Sequence, residues 1–229
     1  YHSRYPRPLK DHLVANVEVM TPIMAKAPKF VNSVLNSNIY NKLSRATIGY
    51  VDTPLLSIPT LAERAQQHQF ATFDLTQLHK MTSQERAKSV LVVQDPFTSF
   101  YDAKVVEDFM LLVKKLGFQP ILLPFKPNGK PQHVKGFLAK FAKTAKSTAD
   151  FLNKVHELNI PMIGLDASLA LCYRDEYCQI LGDSRGKFSV ELAHEWLITI
   201  LDHQNKVENE TEIAKSISYK LFLALSRTA

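Results

Sequence analysis

Val90-Leu91-Val92-Val93, Ala103–Leu116 and Pro120-Ile121-Leu122-Leu123 are the stretches that decide the fold of this chain. The first and third are short apolar runs rich in β-formers, and each reads as a strand buried on both faces. Between them, Ala103–Leu116 puts Val106, Phe109, Met110 and Val113 on one helical face. Gly117 follows where a left-handed C-cap belongs. The rhythm then repeats: Gln132–Glu157 supplies one long helix or two joined near Thr148, with Val134, Phe137, Leu138, Phe141, Ala145, Leu152 and Val155 at core spacing. Ile160-Pro161-Met162-Ile163-Gly164-Leu165 is the third strand. A β-α-β-α-β order with short connections and right-handed crossovers makes a three-layer α/β fold: a mostly parallel sheet with helices on both faces.

Beyond this unit, helices are predicted over Leu169–Leu181 and Val190–His203, with Ser184-Arg185-Gly186 turning between them. Leu192, Trp196, Leu197 and Ile200 are expected to pack inward. Tyr219–Leu225 reads as a further strand, either the start of a continuing fold or a terminal edge element. Before the unit, Pro6, Pro8, Pro22, Pro28, Pro54 and Pro59 keep helices short, with Leu9–Met20 and Lys29–Leu43 as candidates. Another turn or two of helix is expected over Thr60–Gln67, and Thr82-Ser83-Gln84-Glu85 has the form of a capping box. Residues 1–88 therefore read as a helical, proline-interrupted arm, and residues 89–229 as the α/β domain.

Composition narrows the function classes. Of 229 residues, 45% are apolar and 22% charged, so disordered and fibrous classes are excluded. Apolar runs stop after about six residues, far below the roughly 20 a membrane-spanning helix needs. The basic opening Tyr1–Pro6 leads into no apolar signal-peptide core, so the cytoplasm is the expected compartment. The net charge of +6 is concentrated in residues 111–160, which hold nine basic and two acidic groups. Lys135, Lys140, Lys143 and Lys146 give the second helix a positive side, but no aromatic platform accompanies it, and nucleic acid is not an expected partner. Cys172 and Cys178 are too few for a four-thiolate site and stand on nearly opposite sides of their predicted helix, so no metal site is assigned.

In an open parallel sheet the ligand crevice lies beyond the carboxyl ends of the strands, where helix N-termini point free N–H groups. Three predicted loops meet that edge: Gln94–Phe100, Phe125–Pro131 and Asp166–Leu169. Their polar residues Asp95, Thr98, Ser99, Asn128, Lys130, Asp166 and Ser168, joined by Arg174, are the candidate ligand groups. They suit a small anion or a nucleotide held between Lys130, Asn128 and the helix N-termini; for Asp95, Thr98 and Ser168 helix capping is the competing role. No catalytic residue stands out. Asn128-Gly129-Lys130-Pro131 lacks the Ser or Thr and the earlier Gly of a P-loop, and His194-Glu195 has Ile198 where a zinc protease needs its second His.

The same loops carry a family likeness. Asp95-Pro96-Phe97-Thr98, Pro127-Asn128-Gly129-Lys130-Pro131 with Lys135-Gly136-Phe137-Leu138, and Asp166-Ala167-Ser168-Leu169 running into Arg174-Asp175-Glu176-Tyr177 resemble one half-repeat of the cysteine-rich CCG domain of iron–sulfur oxidoreductases. The likeness is strongest to bacterial fusion proteins that join a FAD-binding dehydrogenase, a ferredoxin-like module and a CCG region, and that act as D-lactate or D-2-hydroxyglutarate dehydrogenases. The family pattern places thiolates on these loops, whereas Pro96, Pro127, Asn128 and Leu169 occupy those positions here. The resemblance therefore implies a structural segment without a cluster or active site of its own. FAD and 4Fe–4S clusters belong to the parent oxidoreductase, and the partners are its ferredoxin-like module and second CCG half. The Lys-rich helix is expected to face an acidic neighbour, and the location to be cytoplasmic or peripheral at the inner membrane face.

Overall fold

The computed structural model describes residues 7–47 and 53–207 of the chain. Four short helices come first: α1 (Leu9–Ala15), α2 (Val17–Met24), α3 (Pro28–Leu35) and α4 (Asn38–Thr47). They are followed by α5 (Leu61–Gln67), β1 (Ala71–Thr72), α6 (Leu75–Lys80), α7 (Ser83–Ala87), β2 (Ser89–Val93), α8 (Pro96–Phe100), α9 (Ala103–Lys115) and β3 (Gln119–Leu122). The remainder comprises α10 (Lys130–Val134), α11 (Leu138–His156), β4 (Met162–Gly164), α12 (Ala167–Arg174), α13 (Glu176–Leu181), a 3-10 turn at Gly182–Arg185, β5 (Glu191–Leu192) and α14 (Ala193–Val207).

The five strands form one sheet in the order β1-β3-β2-β4-β5, and every neighbouring pair is parallel. Central β2 places Leu91 beside Ile121 on one side and Met162 on the other. Its alternation sends Leu91 and Val93 to one face, against Phe141, Ala145 and Leu152 of α11 and Tyr173 and Tyr177 of α12 and α13. Val90 and Val92 go to the other, against Val106, Phe109 and Met110 of α9 and Trp196 of α14. Each fully buried Phe or Leu contributes about 1.5–3 kcal/mol of transfer free energy, so these two layers hold the sheet. The three-layer α/β architecture is the one predicted.

Several local expectations need correction. The break in the long helix lies at Lys135–Phe137, where Gly136 has φ +70°, and not at Thr148. Thr148 stays helical because its buried hydroxyl donates to Pro127 O at 2.7 Å, tying the helix to a loop. Val134 and Leu138, expected in the core, flank that break and are exposed. Leu9–Met20 divides at Asn16, Lys29–Leu43 becomes α3 and α4, and Leu169–Leu181 divides at Asp175.

Two strands lie where none was predicted. Ala71–Thr72 extends the sheet beside β3, and two residues are too few to show a period. Glu191–Leu192 opens the segment expected to be helical from Val190. Phe188, Val190 and Leu192 are buried alternately, a period of two that overrides the helical spacing downstream. The predicted capping box forms at Thr82–Glu85, a second that was not predicted opens α5 at Thr60–Glu63, and Gly117 adopts its left-handed conformation, φ +85°. The predicted strand Tyr219–Leu225 lies outside the described residues.

Candidate functional site: a crevice bordered by the arm

The connection after β2 leads to β3 on one side, whereas the connection after β3 returns past β2 to β4 on the other. The loops after β2 and β4 therefore diverge, and this parting is where parallel α/β sheets bind ligands. A pocket of about 270 Å³ lies there, and Asp95, Phe97, Asn128, Lys130, Asp166 and Ser168 are among the residues lining it. All three predicted loops thus converge.

Each loop is held by its own local chemistry. Asp95 is buried and caps α8, accepting from the N–H groups of Phe97 at 2.7 Å and Thr98 at 2.9 Å and from the Thr98 hydroxyl. Asp166 caps α12 by accepting from Leu169 N–H at 2.7 Å. Asn128 Oδ1 accepts from Lys130 N–H at 2.7 Å, and Asn128 O accepts from the buried Tyr177 hydroxyl at 2.8 Å. Gly129, with φ +79°, makes the turn into α10; a Cβ there would lie 2.8 Å from Phe141 Cδ2.

The decisive group comes from the arm. Glu18 of α2 is fully buried, and its two carboxylate oxygens accept from Asn128 N–H and Gly129 N–H, each at 2.8 Å. Burial pushes its pKa up to about 7, against the pull of those two N–H groups, with nearby Asp95 adding to the rise. Asp95 is itself raised, by burial first, while its Thr98 bonds pull it down and Asp166 pushes it up. Two buried carboxyl groups thus lie at this edge, Asp95 lining the crevice and Glu18 behind its second loop. Glu18 was not singled out from the sequence, although an acid inside Val14-Ala15-Asn16-Val17-Glu18-Val19-Met20 is a signal of a partnered buried charge.

The rest of the arm seats around this contact. Arg7 Nη2 donates to Gly136 O at 2.9 Å, with its guanidinium 4.2 Å from the Phe137 ring centre. Lys135 Nζ lies 3.0 Å from Asp11, and Lys140 Nζ donates to Asn16. Two lysines of the predicted positive side therefore meet the chain's own arm.

Three candidates are used differently from what the sequence suggested. Lys130 makes an ion pair with Glu176. Ser99 is buried and lines a second pocket, of about 330 Å³, with Ser57, Gln94 and Phe125. Arg174 sits away from the crevice in a paired bond to Glu195, Nη1 to Oε1 at 2.9 Å and Nη2 to Oε2 at 2.5 Å. Its Nη2 also reaches Val190 O, and Glu195 accepts from Leu192 N–H at 3.0 Å, so the pair fastens β5.

The oxygen and amide donors of this crevice do not fit an iron–sulfur cluster, which takes thiolates. Pro96 and Asn128 line the pocket, while Pro127 and Leu169 turn to structural contacts. Cys172, on the inward side of α12, is buried in the core, its thiol pushed up to about 12 by burial, and Cys178 is exposed on α13. Both are free thiols.

Comparison with known proteins gives this geometry a context. The chain is 58% identical over 204 residues to a D-2-hydroxyglutarate dehydrogenase of Escherichia coli, covering 89% of this chain and 20% of that protein. It is 54% identical over 222 residues to the Pantoea ananatis enzyme of the same name, covering 97% and 21%. The Haemophilus influenzae counterpart is 46% identical over 225 residues, covering 97% and 22%. The chain is homologous to one fifth of these enzymes. No family model and no solved structure matches it. The D-2-hydroxyglutarate dehydrogenase likeness runs through arm and sheet alike, since 97% coverage includes both. Among the described residues, no helix is long and apolar enough to cross a membrane.

Proposed function

We propose that this chain is the structural, partner-docking segment of a D-2-hydroxyglutarate dehydrogenase, built on a CCG-like half-domain that has lost its thiolates. What carries the reading is the match of nearly the whole chain, at 46–58% identity, to about a fifth of enzymes with that name. The crevice supports it: the three loops keep the ligand-edge arrangement of a parallel sheet, while Pro96, Pro127, Asn128 and Leu169 stand where the resemblance puts thiolates and a buried glutamate ties the second loop to the arm. FAD and 4Fe–4S clusters elsewhere in the parent polypeptide would supply the hydride acceptor and the path for electrons. This segment's own residues position: Asp95 and Asp166 fix the α8 and α12 ends, Glu18 fixes the arm, and Arg174 with Glu195 fixes the edge strand. The working location is the cytoplasm, where Cys172 and Cys178 stay reduced.

The small-anion alternative meets donors already in use. Glu18 accepts from the N–H groups of Asn128 and Gly129, and Lys130 is paired with Glu176. The test is to replace the matching fifth of the Escherichia coli enzyme with this chain. D-2-hydroxyglutarate oxidation should persist in the replacement, vanish when that fifth is deleted, and be absent from the isolated chain. A deletion as active as the intact enzyme would refute the reading.

A further inference from the structure

The inward sides of the arm helices are satisfied: Glu18 on the crevice, Thr21 Oγ1 3.1 Å from the Tyr101 hydroxyl, and Asn32 exchanging two 2.8 Å hydrogen bonds with the Leu56 backbone. Their outward sides carry large apolar groups. Ile23 of α2 is exposed, Phe30 and Val34 of α3 stand one turn apart with Phe30 at 71% exposure, and Ile39 and Leu43 of α4 repeat that spacing with Ile39 at 80%. Placing such groups in water forfeits about 1.5–3 kcal/mol each. A run of them on three successive helices is the mark of an interface. The same stretch, Val19–Thr47, contains Lys26, Lys29, Lys42 and Arg45 and no acidic residue, and of these Lys29 already has Glu63 of α5 nearby.

We infer that this outward face of α2, α3 and α4 is the surface through which the segment docks onto the rest of the D-2-hydroxyglutarate dehydrogenase polypeptide, against an apolar patch with an acidic rim. The inference rests on the function proposed above. Two observations select this occupant. The relatives extend over about four fifths of their length beyond the matched region, which is ample chain to cover the face. The one-signed charge calls for acidic neighbours around an apolar centre, the usual anatomy of an interface core and rim. The docking face is thus the arm rather than the Lys135–Lys146 side, two of whose lysines already contact the arm.

The test uses Ile39→Cys and, separately, Phe30→Cys, both largely exposed positions. Each is made in the isolated chain and in the Escherichia coli enzyme carrying this chain in place of its matching fifth. Maleimide labelling is read by mass spectrometry on the peptide holding the new thiol and normalised to the denatured protein. Labelling should slow by about tenfold or more in the full-length enzyme at both positions, as a covered surface requires. Equal labelling in the two contexts overturns the inference. So does protection in the isolated chain through self-association, or protection of the full-length thiols only when vesicles containing phosphatidylglycerol are added. Turnover of D-2-hydroxyglutarate by the same full-length variants reports separately on the proposed function: an active enzyme with a freely labelled face sinks the docking surface alone, and an inactive enzyme with a protected face sinks the enzymatic reading.

Discussion

Glu18 and Asn128 are 110 positions apart in the chain and 2.8 Å apart in the fold. That hydrogen bond, with its twin from Gly129, joins the helical arm to the ligand edge of the sheet. The Glu18 carboxyl, near 4.5 when unfolded, is held up at about 7 by burial. Between those values the folded state keeps a proton that the unfolded state has lost. Stability therefore falls as pH rises from about 4.5 to about 7 and is flat beyond, by up to roughly 3 kcal/mol. Asp95, raised in the same sense, adds to the slope. Urea unfolding of wild type and Glu18→Gln across this range should show a smaller acid-to-neutral loss in the variant. Identical slopes would remove Glu18 from the account.

Glu18→Ala should lower stability at every pH, since it leaves two buried N–H groups without an acceptor, at about 1–3 kcal/mol each. Proteolysis should then cut first in α1 and α2. A variant as protease-resistant as wild type would show that the arm is held by its other contacts.

Two glycines separate backbone strain from packing. Gly117 and Gly129 both have positive φ, but a Cβ meets nothing within 4 Å at Gly117 and lies 2.8 Å from Phe141 Cδ2 at Gly129. Gly117→Ala should cost about 1–2 kcal/mol from the left-handed backbone alone. Gly129→Ala should cost about 1–3 kcal/mol more, from overpacking. Equal thermal midpoints for the two variants would contradict this ordering.

These contacts also show what the sequence reveals and what it hides. The α/β class follows from Val90–Val93 and Val106–Val113, where period and composition agree and tertiary structure has little to override. The three crevice loops follow from topology, because parallel strands end at one edge. Glu18 was hidden because its partners are backbone N–H groups more than a hundred residues away, and no local spacing encodes such a pair. Ser99 and Arg174 were misplaced for a related reason. Ser99 lies one residue beyond Thr98 on α8 and turns to the second pocket. Arg174 lies at the far end of α12, where it bonds the edge strand. The break at Gly136 was legible in principle, as glycine is the residue that accepts φ +70°.

Arg174 and Glu195 are a structural pair. Their bond, chiefly through the guanidinium, lowers Glu195 to about 2, so its contribution is present above the ordinary carboxyl range and is lost as pH falls toward about 2. Both side chains are partly exposed, and Arg174→Ala should cost only about 1 kcal/mol. Amide exchange should quicken at Leu192, whose N–H donates to Glu195. Unchanged exchange there would contradict the role.

The two thiols should differ sharply toward iodoacetamide. Cys178 is exposed and should react in the native chain, whereas Cys172, buried with its thiol pushed up to about 12, should react only on unfolding. Native labelling of Cys172 would show that the core beneath α12 opens.

The claim on which the rest depends is that the crevice, tied to the arm through Glu18, offers no thiolates to a cluster. Its most direct test is anaerobic reconstitution of the isolated chain with ferrous iron and sulfide, followed by iron and sulfide counts. The account predicts that wild type and Glu18→Ala alike retain neither after desalting. Wild-type protein carrying stoichiometric iron and sulfide would contradict it.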